Sequence, residues 1–335
     1  MCRCAAVVFL LAAIPAFAQE GTWLGKTILT RELGVPITHT DEKGKEVYLP
    51  LTDSIYYRVE AEDGDRVKVV TNKGIAGWLK KSDAVLPEQA VEHFTKVLEK
   101  KPNDAGAYQK RAYARQLQGD YDAALKDLND TIRLSYFDMA GWNGRGVLYL
   151  AKRDYELALR DLSLAIRFNP NAAAGYCNRG QAWTALKEYK KALIDLDQAI
   201  FLEPTLSFAY SNRGLALFLD KEYDGALRDF ETARKRDPKN SQAFLHHARM
   251  LATCADPKYR DGKKAVALAK QALTLDEHRD GEAQQVLAAA HAEAGDFAEA
   301  IRAQEKARED PRLKDDEDAR QRLDLYRKNT PYRQN

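Results

Sequence analysis

The sequence predicts a mainly α-helical solenoid of stacked helix pairs, preceded by a small antiparallel β-barrel. Three observations predict it. Residues 105–238 write one pattern four times at a fixed step of 34, seen in Tyr108, Trp142, Tyr176 and Tyr210, in Tyr121, Tyr155, Tyr189 and Tyr223, and in Ala124, Ala158, Ala192 and Ala226. A period of this length marks units too small to bury their own apolar face, which become stable by packing on their neighbours. Pro170, Pro204 and Pro238 keep the same step, and each ends a helix because the residue before a proline avoids the α region. Residues 19–86 instead carry short β-branched and aromatic runs broken by turn residues, the pattern of a small antiparallel barrel.

Residues 1–18 begin with Met1, Cys2, Arg3 and Cys4, continue as an apolar run broken at Pro15, and end on Ala16, Phe17 and Ala18. A charged start, an apolar middle and a small-x-small end are those of a secretory signal peptide. The run is shorter than the roughly 20 residues a spanning helix needs, so cleavage before Gln19 is expected and an uncleaved anchor is not. The expected location is periplasmic or secreted, with no transmembrane segment after signal removal. Cys2 and Cys4 leave with the signal, and Cys177 and Cys254, two repeats apart, are expected as unpaired, mostly buried thiols. The chain has 52 basic and 50 acidic residues and a net charge of +2. No strongly basic tract stands out, so there is no electrostatic footprint for nucleic acid.

In residues 19–86 the runs start at Thr27, Val47, Ile55, Arg66 and Gly77, and the turns fall at 41–44, 62–65 and 72–74. The segments from Tyr57, from Gly64 (GDRVKV) and from Gly77 (GWLKKSD) resemble bacterial SH3-like (SH3b) domains. That resemblance implies binding of short peptides or cell-wall peptides, with Trp78 and Tyr56 or Tyr57 as groove residues. The alternative is that these rings fill the barrel core, and the residues favour it. Pro87 stands in the first turn of a helix, where its missing N–H does no harm. Ala90, Phe94, Val97 and Pro102 precede Ala124, Leu128, Thr131 and Tyr136 by 34. Residues 87–104 therefore read as a half repeat that joins the barrel rigidly to the array.

Within each full repeat, 105–238, two helices are expected. In the second repeat, helix A covers about 140–151 and helix B about 155–168, with a turn at Arg153 and Asp154. Gly146, Gly180 and Gly214 recur in mid-helix. Glycine there costs about 1 kcal/mol against alanine, so its recurrence predicts close approach of two helices. Arg111, Arg145, Arg179 and Arg213 form a further series, each followed 16 residues later by Asp127, Asp161, Asp195 or Asp229. An Arg ladder for an acidic ligand is one reading. Internal Arg–Asp pairs are the favoured one, because the two series share a register and Arg suits a partly buried bidentate pair.

Over 105–238 these aromatic, glycine, alanine and proline positions resemble the tetratricopeptide repeat (TPR) closely. The resemblance implies a right-handed superhelix of helix pairs whose concave groove is lined by helix A and takes a protein or peptide ligand. Groove-facing candidates are Tyr113, Asn143, Cys177, Asn178, Gln181, Phe208, Ser211 and Asn212. Asn178 and Asn212 hold equivalent places in successive repeats. As donor and acceptor at once, they either pair with an extended peptide backbone or hydrogen-bond helix to helix. The Lys-and-Asn set with which TPR adaptors clamp a terminal carboxylate is not matched, which favours backbone or mixed apolar readout.

Residues 239–312 read as two divergent repeats. The fifth has a turn at 252–262 that delays its helix B by five residues, placing Ala265 late; the sixth runs through Gln284, Gly295 and Ala307. Residues 313–335 read as a polar capping helix and tail, which a solenoid needs at its last face. These C-terminal units resemble those of planctomycete-type bacterial proteins that join an SH3b domain to TPRs. No metal-protease, phosphate-loop, nucleophile-elbow or paired C-x-x-C motif is present, and the adjacent His246 and His247 diverge on a helix. The reading is an exported, non-enzymatic adaptor that needs no cofactor and captures peptide segments in its groove. The alternative is a cell-envelope module whose barrel binds peptidoglycan peptides while the repeats recruit an enzyme.

Overall fold

The computed structural model describes residues 22–32, 35–40, 45–50, 56–70, 75–275, 280–310 and 313–334. The expected signal peptide and the turns expected at 41–44 and 72–74 lie outside the described residues. The chain divides into two compact units, residues 1–100 and 101–335.

In the first unit, β1 (Thr27–Thr30), β2 (Pro36–Thr40), β3 (Glu46–Pro50), β4 (Tyr56–Asp63), β5 (Arg66–Val70), β6 (Ala76–Lys80) and β7 (Ala84–Val85) precede α1 (Pro87–Lys100). The strands pair antiparallel in the order β3-β2-β6-β5-β4-β1-β7. Alternation decides what is inside: Val67 and Val69 of β5 are buried and their neighbours are half-exposed, as a period of two requires. Ile28, Ile37, Tyr57, Val59 and Leu79 complete this core. Tyr57 thus takes the core place, while Trp78 is half-buried with the Arg66 guanidinium 5.7 Å from its ring. The acidic stretch 62–65 is the β4–β5 hairpin turn, with Gly64 at φ 58°. Helix α1 packs on β1 and β7 and buries Ala90, Phe94 and Leu98. Arg31 fastens it by donating to Ala84 O at 2.9 Å and meeting His93 Nδ1 at 2.9 Å.

The second unit is a row of helix pairs. The A helices are α2 (Ala105–Leu117), α4 (Met139–Lys152), α6 (Ala173–Ala185), α8 (Ser207–Leu219), α10 (Ser241–Thr253) and α12 (Asp280–Glu293). Their B partners are α3 (Tyr121–Leu134), α5 (Tyr155–Phe168), α7 (Tyr189–Leu202), α9 (Tyr223–Arg236), α11 (Gly262–Leu275) and α13 (Phe297–Ala307). The A-to-B turn is one device repeated. Arg153, Lys187 and Lys221 adopt left-handed backbone at the position where Gly119 and Gly295 serve the first and last pairs. Asp104, Asp120, Asp138, Asn240 and Asp296 cap helix N-termini by accepting a backbone N–H, a bond worth about 1 kcal/mol each.

The mid-helix glycines sit where two helices touch. A Cβ on Gly146 or Gly180 would lie 2.7 Å from Leu162 Cγ or Leu196 Cγ, and one on Gly214 would lie 2.7 Å from Phe230 Cε1. The fifth pair has the longer connection expected: Cys254 follows α10, a 3-10 turn covers Pro257–Tyr259, and α11 starts at Gly262. Helix α14 (Glu317–Arg327) closes the row. It buries Ala319, Leu323 and Tyr326, so it carries an apolar stripe beneath its polar outer face. The tail then folds back, with Gln334 N donating to Thr253 O at 2.8 Å and Arg333 pairing with Glu293 at 2.6 Å.

Candidate functional site

Successive A helices meet one another more closely than successive B helices do, so curvature puts the A row on the inner side. All the sequence-predicted groove residues lie on that row: Tyr113 on α2, Asn143 on α4, Cys177, Asn178 and Gln181 on α6, and Phe208, Ser211 and Asn212 on α8. The structure divides them by depth. Tyr113, Asn143, Asn178 and Gln181 are half-buried and Phe208 is exposed, whereas Ser211, Asn212 and Cys177 are buried.

Polar groups at both depths tie helix to helix. Asn178 Nδ2 donates to Asn143 Oδ1 at 3.0 Å, linking α6 to α4. Asn212 Nδ2 donates to Cys177 Sγ at 3.5 Å, linking α8 to α6. His246 Nδ1 lies 3.4 Å from Ser211 O, linking α10 to α8. Each step spans 35 residues, one more than the repeat, so each position meets the residue just after its equivalent in the next repeat along the floor of the row. Burial pushes the Cys177 thiol up to about 12, against the Asn212 hydrogen bond, which lowers it, so the sulfur stays neutral. Asn212 thus spends its amide N–H on the neighbouring helix, with its Oδ1 left without a partner among the described residues, while the Ser211 hydroxyl donates to Phe208 O of its own helix at 3.1 Å. The consequence is measurable. Asn178→Ala should cost about 0.5–1.5 kcal/mol of unfolding free energy, the worth of one interhelical hydrogen bond. A denaturant midpoint that does not move would return Asn178 to the ligand side.

What faces outward from the floor is a second register. Tyr113, Val147, Gln181 and Leu215 are spaced by 34 and all half-buried. The sequence reading named Tyr113 and Gln181 and missed Val147 and Leu215, which the same spacing would have found. Tyr113 and Gln181 bring hydroxyl and amide groups, Val147 and Leu215 bring apolar surface, and Phe208 adds a ring 44% exposed. The row suits a segment that presents apolar side chains and backbone polar groups together.

The Arg series is structural, as the favoured reading expected. Arg111, Arg145, Arg179 and Arg213 each place two nitrogens on Asp127, Asp161, Asp195 or Asp229 at 2.6–3.1 Å. A third nitrogen of Arg145, Arg179 and Arg213 reaches back to Asn129, Ser163 or Asp197 of the preceding B helix. Each guanidinium also stands 5.0–5.9 Å from the Tyr108, Trp142, Tyr176 or Tyr210 ring of its own helix. So one Arg joins its own A and B helices to the repeat before, and its donors are spent internally. Among the described residues no cluster of His, Cys, Asp and Glu could hold a metal ion, and no helix is long and apolar enough to cross a membrane.

Models of the tetratricopeptide repeat match residues 93–126, 110–173, 143–205 and 207–240. The Protein SGT1 homologs of Bos taurus and Homo sapiens are each 42% identical over 57 residues, 16% of this chain. That match spans 17% and 16% of the length of those curated relatives. A solved tetratricopeptide repeat protein from Parabacteroides merdae superposes with a TM-score of 0.55 at 17% identity, over 74% of this chain and 93% of its own. The Cut9-Hcn1 hetero-tetramer of the APC/C gives 0.56 at 16% identity, over 71% of this chain and 45% of its own. These two likenesses are of fold. The chain is mainly helical and carries tetratricopeptide repeats stacked as a solenoid.

Proposed function

We propose that this chain is a non-enzymatic scaffold that holds an extended segment of a partner protein along its row of A helices. The observation that carries the reading is the division of labour on that row. Asn143, Asn178 and Asn212 are engaged between helices and the Ser211 hydroxyl within its own helix, while Tyr113, Val147, Gln181, Leu215 and Phe208 leave a mixed apolar and amide surface in a repeating register. Solenoids of this kind serve protein–protein interaction through such extended inner surfaces. The proposal includes export, on the composition of residues 1–18, and an SH3-like character for the N-terminal sheet, on its GDRVKV and GWLKKSD segments.

A photo-crosslinking amino acid placed at Gln181, at Phe208 and, as an outward control, at Ile194 on α7 tests it. Ile194 is 71% exposed. The expected result is one shared partner captured from Gln181 and Phe208 and absent from Ile194, with release by Phe208→Asp. Equal capture at all three positions, or none at the inner two in cells of the source organism, overturns the reading.

A further inference from the structure

The Arg–Asp series stops at the fifth repeat. Counting 34 on from Arg213 reaches His247. The matching Asp position, displaced by the five-residue delay of α11, falls on Leu268, which is buried. A bidentate ion pair has been replaced by an imidazole with no carboxylate opposite it.

His247 is fully buried and stacks on Phe230 of α9, ring centroids 5.7 Å apart and planes 21° from parallel. Its Nδ1 lies 3.1 Å from Arg234 Nη1. A guanidinium only donates, so Nδ1 accepts and the ring proton sits on Nε2. Nε2 has no hydrogen-bond partner among the described residues. The charged groups that act on the ring are Arg234 of α9 and Lys264 of α11, both cations. From α8 the facing group is the Ser211 carbonyl, which meets the neighbouring His246. On α12, Glu282 is taken by Arg249 at 2.6 Å. The Arg234 guanidinium in turn covers the Phe244 ring at 5.0 Å. A proton on Nδ1 would remove the acceptor for Arg234 and place a second buried cation beside it.

We propose that the α9–α10 contact is an acid-sensitive seam, at which protonation of His247 separates the fifth and sixth repeats from the first four. The inner row would then be shortened by α10 and α12. The direction of the effect follows from burial first, then from Arg234 and Lys264, which lower His247 from 6.5 to about 3. The opened seam binds a proton near pH 6.5 and the closed one resists it until about 3. Closure is therefore unaffected above about 6.5, weakens steadily as pH falls between these limits, and loses nothing more below the lower one. At pH 4.5 the opened fraction should rise on the order of a hundredfold over its value at pH 7.5.

Two native thiols report on this. Cys254 is buried in the cluster that includes Phe230 and Met250, at the seam, and Cys177 is buried in the third repeat. The full chain is pulsed with dithiodipyridine from pH 7.5 to 4.5, each rate is corrected with a free thiol standard, and labelled peptides are assigned by mass spectrometry. The expected result is a rise in Cys254 labelling of the order above while Cys177 stays protected. In His247→Gln, whose amide can still accept from Arg234 and cannot titrate, that rise should disappear. A flat Cys254 rate, parallel rises at both cysteines, or an unchanged rise in His247→Gln would overturn the seam. The comparison of two cysteines in the unaltered chain can still refute the seam even if the variant does not fold.

Discussion

Asp161→Ala is expected to lower the unfolding free energy by about 3–5 kcal/mol, the cost of leaving a buried charge unpaired. Asp161 is fully buried and takes Arg145 Nε at 2.6 Å and Nη2 at 3.1 Å. Burial works against the Arg145 charge, and the Asp161 hydrogen bond and charge overcome it, leaving its pKa raised. Without the carboxylate, that guanidinium keeps only Asn129 Oδ1 at 2.6 Å and the Trp142 face. Because Arg145 also reaches the preceding repeat, the loss should reduce cooperativity between repeats as well as the stability of one. Glu299→Ala makes the control. It breaks an exposed pair with Arg302 and should cost no more than about 1 kcal/mol. Urea unfolding followed by helical circular dichroism measures both, and equal midpoints for the two variants would show that the buried series contributes little.

Gly262→Ala is expected to destabilise the fifth and sixth repeats by about 1–3 kcal/mol, the cost of overpacking. An added Cβ would run into the Ala294 nitrogen and lie 2.7 Å from the Glu293 carbonyl carbon and 2.8 Å from Ala294 Cα. These are backbone atoms at the end of α12, which cannot rotate aside, so α11 and α12 must part. Gly225→Ala provides the contrast. Its nearest neighbour is a Leu217 methyl at 3.2 Å, which can move, and alanine is the better helix former by about 1 kcal/mol. Gly225→Ala should therefore melt at or above the parent temperature and Gly262→Ala clearly below it. A Gly262→Ala protein that melts with the parent would show that the α11–α12 approach is looser than described.

Local regularities in the sequence determined the repeats, their turns and their closing helix. Tyr108, Trp142, Tyr176 and Tyr210 place the A helices, Asn169 and Pro170 end α5, and Gly146 marks a close approach that Leu162 fills. Each is a statement about one unit repeated, so a fixed spacing in one dimension was enough to read it. The Arg145–Asp161 pair was legible for the same reason: two series of opposite charge in one register must meet if the units stack alike. The fate of Asn178, Ser211 and Asn212 was not legible. Whether a polar side chain on helix A faces a ligand or the next helix depends on how tightly successive A helices approach, which is set by side chains far away in the chain. The seam at His247 depends on the same geometry. The sequence shows a histidine where four repeats have arginine, but only the packed structure shows that Phe230, Arg234 and Lys264 surround it with no carboxylate. Spacing fixes which residues are equivalent; the distance between helices, a property of the whole stack, fixes which of their polar atoms remain available.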